Sequence, residues 1–409
     1  MTVDAPLAGV RVVEVSLLGA ASITTSLSDL GADVIKVEPP GGDYGRDMTW
    51  PIIEGTSLLF LHLNRGKRSV VIDLRNAAGI EVFEELVRTA DVVVEAMRPG
   101  ALERRGLGYE RLREINPKVV FMAMSGFGAT GPYRTLPSHG IAFDTWAGIV
   151  DPEVDDEGLC SIPPHVSIGL NAAPLYGAIG ILAGVIRARS TGEGCRMELA
   201  QSDAAVAFDW FRTETERAYE RPHSEVCGNA ADGFERRAAG VAGMAGSVRY
   251  QIYETSDGYV LLMASERKFW RNFCEAIARP DLFEIHSGRV HADHARGDVA
   301  LQRELATVFR SRSSAEWLDL GVRHDIPIAP VNTKESLARD PQFIDRLPWL
   351  PAAHFGADMV PQPVRIDAVH VSASTRAPTA GQHTDEILTD LLAHSQPHIH
   401  QLRVQGAIS

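Results

Sequence analysis

The sequence predicts an α/β fold: a Rossmann-like parallel sheet with helices on both faces, joined to a smaller α+β domain. Three observations predict the sheet. Short β-branched runs recur along the first part of the chain, amphipathic stretches separate them, and the runs are apolar throughout instead of alternating. Crossover helices hide both faces of a parallel sheet from water, so its strands are apolar on both sides. A doubly wound layer is therefore expected in the N-terminal part.

The predicted strands of this layer follow one another at regular intervals. They are VRVVEV at 10–15, DVIKVE at 33–38, SVVIDL at 69–74, DVVVEA at 91–96 and KVVFMAMSG at 118–126. Between the third and fourth, Asn76 is in the position of an N-cap, and Ile80, Phe83 and Val87 share one helix face. The first strand–helix junction, SLLGAAS, holds one glycine where a dinucleotide fingerprint has three, so NAD and FAD are disfavoured.

The second half of the chain changes character. VRYQIYETSDGYVLLMAS at 248–265 predicts two strands joined at Asp257-Gly258, and helical stretches follow near 267–279, 299–310 and 314–322. The Gly/Ala-rich AAGVAGMAGS at 238–247 predicts a mobile loop, and the chain ends in a predicted helix at 381–392. We expect a large domain over 1–200 and 330–409, a linker over 200–225 and a small domain over 225–325.

Composition excludes several classes of protein. The formal net charge of −13 over 409 residues disfavours binding to nucleic acid or to an anionic membrane surface. The N-terminus does not resemble a signal peptide, and no apolar run is expected to reach the ~18 residues of a membrane span, so a cytoplasmic protein is predicted. The four cysteines have no CxxC spacing, and His394, His398 and His400 are expected in a solvated tail, so no metal site is predicted.

Four longer strings carry a family resemblance. GADVIKVEPPGGD at 31–43, NRGKRSVVIDLR at 64–75, EAMRPGALERRGLGYERLREINP at 95–117 and SGFGATGPYR at 125–134 resemble, in order and spacing, the family III CoA-transferases. That family includes formyl-CoA and carnitine CoA-transferases and the α-methylacyl-CoA racemases. The resemblance covers nearly the whole chain. It implies a large domain built from both chain ends and an interlocked homodimer, or alternatively a heteromer with a related subunit.

The resemblance also implies a site for an acyl-CoA, with a coenzyme A thioester as substrate, a free carboxylic acid as the second reactant and no tightly bound cofactor. Arginine forks and backbone N–H groups suit the phosphates of CoA, and βα loops at strand ends are where ligands bind in open sheets. Pro39 and Pro40 stand where the family often has a basic residue. The implied nucleotide contacts are Ile72, Asp73, Leu74 and Arg75, and the implied phosphate and pantetheine contacts are Ala96, Met97, Arg98, Ala101 and Arg104.

The chemistry implied by the family meets a departure in this chain. The transferases use an aspartate that attacks the thioester, and the racemases use that aspartate with a histidine on the other side of the α-carbon. The aspartate position falls at or beside Leu170, in SIGLNAAPLY at 167–176, where there is no carboxylate. His139 stands nine residues before Gly148, which matches the racemase histidine. Asn171 is expected to cap the following helix.

Three functions therefore remain open at this point. The first is transfer of CoA between carboxylic acids, the second is racemase-like proton transfer by His139, and the third is a non-catalytic acyl-CoA-binding subunit. Small and apolar residues at 137–148, near Leu170 and in the loop at 238–247 favour a bulky hydrophobic acyl chain over formyl or oxalyl groups. Glycines at 177, 180 and 184 are expected to permit close helix packing.

Overall fold

The computed structural model describes residues 5–17, 22–227, 244–288, 292–367 and 375–409. Most of the predicted mobile loop at 238–247, and part of the SLLGAAS junction, lie outside these residues. The strands are β1 (Arg11–Ser16), β2 (Asp33–Glu38), β3 (Ile52–Ile53), β4 (Thr56–Ser57), β5 (Arg68–Val71), β6 (Val92–Ala96), β7 (Val120–Ser125), β8 (Glu153–Val154), β9 (Cys160–Ser161), β10 (Cys195–Ala200), β11 (Tyr250–Glu254), β12 (Tyr259–Met263) and β13 (Ile328–Pro330).

The helices separate these strands along the chain. They are α1 (Ser22–Asp29), α2 (Leu58–Asn64), α3 (Ala77–Thr89), α4 (Tyr109–Ile115), α5 (Ala142–Trp146), α6 (Ile168–Thr191), α7 (Gln201–Phe208), α8 (Trp210–Tyr219), α9 (Arg267–Ala276), α10 (Pro280–Ile285), α11 (Val299–Phe309), α12 (Ser314–His324), α13 (Lys334–Leu337), α14 (Pro341–Arg346), α15 (Ala352–Phe355), α16 (Thr384–Glu386) and α17 (Gln396–Val404). A turn of π-helix over Ile387–Leu391 continues α16. Asn76 caps α3 as predicted, since its side chain accepts from the backbone N–H of Ala78.

Six parallel strands form the main sheet, in the order β10-β7-β6-β1-β2-β5. Counted along the chain, this is the 3-2-1-4-5-6 order of a Rossmann sheet, in which the strand order reverses between β1 and β6. Ligands of such sheets bind at the carboxyl ends of the strands near that reversal. The predicted doubly wound fold is confirmed.

The two faces of the sheet bury separate hydrophobic cores. On one face, sheet residues such as Val13 and Val93 pack with Phe83 and Leu86 of α3. On the other face, Val12 and Val94 lie in one cluster with residues of α1, α6 and α7. This burial on both sides explains why the strands read as continuous apolar runs.

Helix α6 packs on the sheet through its glycines, as the sequence predicts. A Cβ on Gly177 would lie 3.0 Å from Ile23 Cδ1, and one on Gly184 would lie 2.5 Å from Met197 Cε. The expectation that no segment is apolar and long enough to span a membrane is wrong for α6, which passes that test by length and composition. Half of its apolar stretch is buried within the protein, as in a core helix.

The chain divides into two compact units, Met1–Asp209 with Leu347–Ser409, and Trp210–Arg346. Both chain ends therefore contribute to the first unit. In the second unit β11, β12 and β13 form an antiparallel sheet, and the hairpin predicted at Asp257-Gly258 joins β11 to β12. Its core is aromatic, with Phe273 and Phe309 stacked at 5.5 Å between ring centroids.

The C-terminal residues are not the solvated tail that the sequence suggests. They form α17, whose Ile399 and Leu402 are buried in the same core as α3. His394 Nε2 lies 2.5 Å from a carboxylate oxygen of Glu85. Within the described ranges, no group of three metal-ligating side chains is found.

Fully buried charged side chains connect the strands of the main sheet. Lys36 Nζ lies 3.2 Å from Glu14 and 3.0 Å from Asp43, and Lys67 Nζ lies 2.9 Å from Glu14. Burial alone would raise the pKa of Glu14, but Lys67 and Lys36 lower it to about 2. Burial lowers the pKa of Lys67 to about 8, and Glu14 opposes that effect. Lys36 is thus part of the protein interior, where it pairs with two carboxylates.

Candidate functional site at the carboxyl edge of the sheet

The predicted nucleotide end lies just after β5. Ile72 pairs with Ile408 in an isolated antiparallel bridge, and its side chain is buried in the core, so only its backbone can face a ligand. Leu74 is partly buried against the same core. Arg75 is exposed and donates three hydrogen bonds to Asp73, two from its guanidinium at 2.9 Å and 3.0 Å and one from its backbone N–H at 2.9 Å. These bonds lower the pKa of Asp73 and raise the pKa of Arg75.

The predicted phosphate and pantetheine contacts lie in the turn after β6. Ala96 and Ala101 are buried, so they also present mainly backbone. The Arg98 side chain is exposed, and the described residues include no hydrogen-bond or ion-pair partner for it. Arg104 donates a hydrogen bond of 2.9 Å to the carbonyl of Pro99, which holds its guanidinium over the turn.

A cavity of about 490 Å³ lies along β7 and β10, from Phe121 and Arg196 to Ser125, and reaches the turn just after β6. Of the predicted site residues, Met97 lines it. Glu95, also in the lining, accepts from the Leu102 backbone N–H at 2.8 Å, and its burial raises its pKa. The charged lining residues are Glu95, Glu103, Glu110, Arg111, Arg196 and Glu198. Because carboxylates outnumber arginines there, the cavity suits the uncharged pantetheine arm better than a diphosphate.

The position of the absent aspartate lies in the first turn of α6. Leu170 follows Gly169, whose backbone N–H donates to Asp144 Oδ1 at 2.7 Å. Ser167, the N-cap residue, donates its hydroxyl to Asp144 Oδ2 at 2.7 Å. Asp144 has no exposed surface, so its carboxylate serves as a buried cap for the helix. The capping role predicted for Asn171 is wrong, because Asn171 lies inside the helix and donates to the carbonyl of Ser167.

The two histidines near this turn are placed differently. His139 is exposed, and its backbone carbonyl accepts from the Ala142 N–H at 3.4 Å. His165 lies beside the buried carboxylate, with Nε2 3.4 Å from Asp144 Oδ2 and Nδ1 3.2 Å from the carbonyl of Pro163. Sequence reasoning missed this grouping of Asp144, His165 and Ser167, because residues more than twenty apart give no local signal of contact.

Comparison with known proteins defines the class. The model of CoA-transferase family III matches residues 7–384, and the chain belongs to that family. The resemblance of the sequence motifs is confirmed.

Individual relatives match nearly the full length of the chain. The succinyl-CoA:glutarate CoA-transferase of Homo sapiens is 28% identical over 98% of this chain and 90% of that protein. The probable fatty acyl-CoA transferase Rv3272 of Mycobacterium tuberculosis is 30% identical over 92% of this chain and 96% of that protein. The crystal structure of a CAIB/BAIF family protein from Brucella suis superposes with a TM-score of 0.74 at 27% identity, covering 94% of this chain and 99% of that one.

Proposed function

We propose that this protein transfers coenzyme A from an acyl-CoA to a second carboxylic acid. Family membership supports this, since relatives such as the human protein carry names that describe such a transfer. The observation that carries the proposal is the cavity along β7 and β10. It reaches the end of β6, one of the two strands at the reversal of the strand order, and Met97, from the turn predicted to hold CoA, lines it.

The pantetheine arm would occupy the cavity, and the phosphates would lie at its rim near the turn after β6. Arg98 is the most available donor there, because it is exposed and has no competing partner among the described residues. Arg75 would have to exchange Asp73 for a phosphate, at the cost of two hydrogen bonds. Arginine binds phosphate through paired N–H groups, so each such contact adds direction as well as charge.

The reaction must proceed without an aspartate at Leu170. Asp144 is the carboxylate hydrogen-bonded to this turn, and both of its oxygens are occupied and buried. We propose that the acceptor carboxylate attacks the donor thioester directly. A C–O bond forms, the C–S bond breaks, and a mixed anhydride and CoA thiolate result. The thiolate then attacks the acceptor carbonyl, and the donor acid leaves as a carboxylate, so atoms and charge balance.

The test follows CoA exchange and proton exchange in one experiment. The protein is incubated in D₂O with an acyl-CoA and an unlabelled acid, and the thioesters are analysed by mass spectrometry. CoA transfer without α-deuteration supports the proposal. Deuteration that is abolished in His139→Ala would instead establish racemase-like chemistry. His165→Ala is the matched control, because it removes another histidine near the same helix and should leave such deuteration unchanged.

A second candidate function is favoured by one observation, the leucine at position 170. A chain that binds acyl-CoA without transferring it would need no nucleophile and would pair with a related active subunit. Acyl-CoA binding measured by calorimetry, together with no exchange for any acid tested, would support this alternative and contradict the first proposal.

We also propose that the chain assembles as an interlocked homodimer, as its family implies. One face of α6 supports an assembly, because Leu175, Ile179 and Ile186 are each more than half exposed. Their spacing of four and seven residues aligns them in one stripe. Light scattering should give the mass of two chains, and the mass should persist on dilution. A monomer would contradict the proposal, and a stable complex formed only with a related chain would establish the heteromer.

A further inference from the structure

Four aromatic side chains gather beside the first turn of α6. Phe127 is at the centre of this aromatic cluster, with ring centroids 5.7 Å from Tyr133, 5.8 Å from Phe143 and 6.0 Å from Trp146. All three neighbours meet Phe127 edge to face, the favourable arrangement for aromatic pairs. The cluster is therefore a defined packing unit.

The cluster is fixed to the position of the absent aspartate. Phe143 is buried, and a Cβ placed on Gly169 would lie 2.8 Å from its Cβ. A Cβ on Gly126 would lie 2.8 Å from Phe143 Cε1. Gly126, just after β7, and Gly169, in the first turn of α6, thus leave room for the Phe143 side chain, and Leu170 follows Gly169 in the chain.

The same cluster adjoins the cavity and is half open to solvent. Ser125 and Ala129, on either side of Phe127 in the chain, line the cavity. Tyr133 is 48% exposed and Trp146 is 47% exposed. Large aromatic rings that are grouped and left half exposed next to a cavity mark a binding surface more often than isolated apolar residues do.

We propose that Tyr133 and Trp146 form the subsite for the acyl group, and that this subsite takes an apolar acyl chain that carries an aromatic ring. This rests on the proposed CoA transfer. An acyl group leaving the cavity at the Phe127 loop meets the ring surfaces of the cluster. The exposed carboxylate of Glu198, which accepts from the Ala129 N–H in this loop, disfavours an acyl group with a second carboxylate, and Asp144 is buried and hydrogen-bonded. A ring can add edge-to-face contacts to those already present in the cluster.

A dicarboxylic acyl group is the competing substrate class. Arg134, next to Tyr133 in the chain, is exposed and could bind a second carboxylate. The two classes make opposite demands on the site, since one needs Trp146 and the other needs Arg134.

The experiment compares phenylacetyl-CoA, hexanoyl-CoA and succinyl-CoA as donors to acetate, with Kd by calorimetry and KM and kcat by mass spectrometry. The natural chain is expected to bind phenylacetyl-CoA most tightly. Trp146→Ala should raise its KM for phenylacetyl-CoA about fivefold, the loss of one aromatic contact, and leave kcat and the KM for succinyl-CoA little changed. Trp146→Phe should recover most of that loss. There are two control variants. Trp210→Ala removes an exposed tryptophan of α8, and Arg134→Ala removes the side chain that a dicarboxylic acyl group would need.

Preference for succinyl-CoA, or equal effects of Trp146→Ala on all three donors, would overturn the subsite. Preference for hexanoyl-CoA over phenylacetyl-CoA would show that the subsite takes an apolar chain but does not select an aromatic ring. If circular dichroism shows that Trp146→Ala does not fold, the three donors are compared in Tyr133→Ala and Trp146→Phe instead. Absence of any CoA transfer would overturn the proposed reaction alone, because the three Kd values would still decide whether the subsite exists.

Discussion

Replacing Glu14 by glutamine should strongly destabilise the fold. The Glu14 carboxylate is fully buried between Lys36 and Lys67, with oxygen-to-nitrogen distances of 3.2 Å and 2.9 Å. Its pKa falls from 4.5 to about 2 in the folded protein. At about 1.4 kcal/mol per tenfold change in proton affinity, this stabilises the fold by about 3 kcal/mol at neutral pH. Breaking a buried ion pair by removing one partner costs about 3 to 5 kcal/mol, which agrees.

The assay is chemical denaturation of Glu14→Gln and the natural chain at several pH values. A carboxylate with a lowered pKa stabilises the fold above its unfolded pKa, and this stabilisation is lost as the pH falls from about 4.5 towards 2. The difference in the free energy of unfolding should therefore be largest at neutral pH and shrink in acid.

The matched control is Glu386→Gln in the same unit. Glu386 pairs with Arg68 at 3.2 Å, but its side chain is half exposed, so the loss should stay below about 1 kcal/mol. If Glu14→Gln costs no more than this control, or if its cost does not change between pH 7 and pH 3, the buried network does not have the energetic role assigned to it.

Three further predictions concern α6 and the CoA site. Gly184→Ala should lower the free energy of unfolding by about 1 to 3 kcal/mol, because its Cβ would lie 2.7 Å from Cγ1 of the β-branched Val120 as well as 2.5 Å from Met197 Cε, and unchanged denaturation would show that the helix can shift. Leu170→Asp should produce a covalent enzyme–CoA thioester that is visible in the intact mass and absent from the natural chain, while Leu175→Asp, on the exposed stripe, should not. Arg98→Ala should weaken CoA binding several-fold at low salt and less at high salt, and equal loss at both would argue against a phosphate contact.

The sheet could be predicted from sequence because its signal is local. Each strand of the first unit is a short apolar run, and burial on both faces requires that pattern wherever the strand lies in the order. The strand order itself has no such local signal, because it depends on which strands pair in the folded sheet.

The surroundings of Leu170 could not be predicted from sequence, because they are formed by residues that are distant in the chain. Asn171 precedes a proline-containing first turn and has the local signature of a cap, yet α6 begins at Ile168 and Asp144 caps it from 25 residues away. The contact of Asp144 with the first turn of α6 thus outweighs the local preference of Asn171 for a capping position. The C-terminal histidines show the same limit, since His394 looks solvated until Glu85 of α3 is placed beside it.

Two features of the site point to the same change in how it works. They are the leucine in place of an aspartate at position 170 and the presence of the aromatic cluster. Leu170 is partly exposed, and the preceding residue, Gly169, lies against Phe143 and the buried carboxylate of Asp144. Leucine at position 170 supplies no nucleophile, so the second acid substrate must supply the carboxylate and both acids must be bound at once. The natural chain should therefore show sequential kinetics, with intersecting double-reciprocal lines, and parallel lines would require a nucleophile elsewhere in the chain.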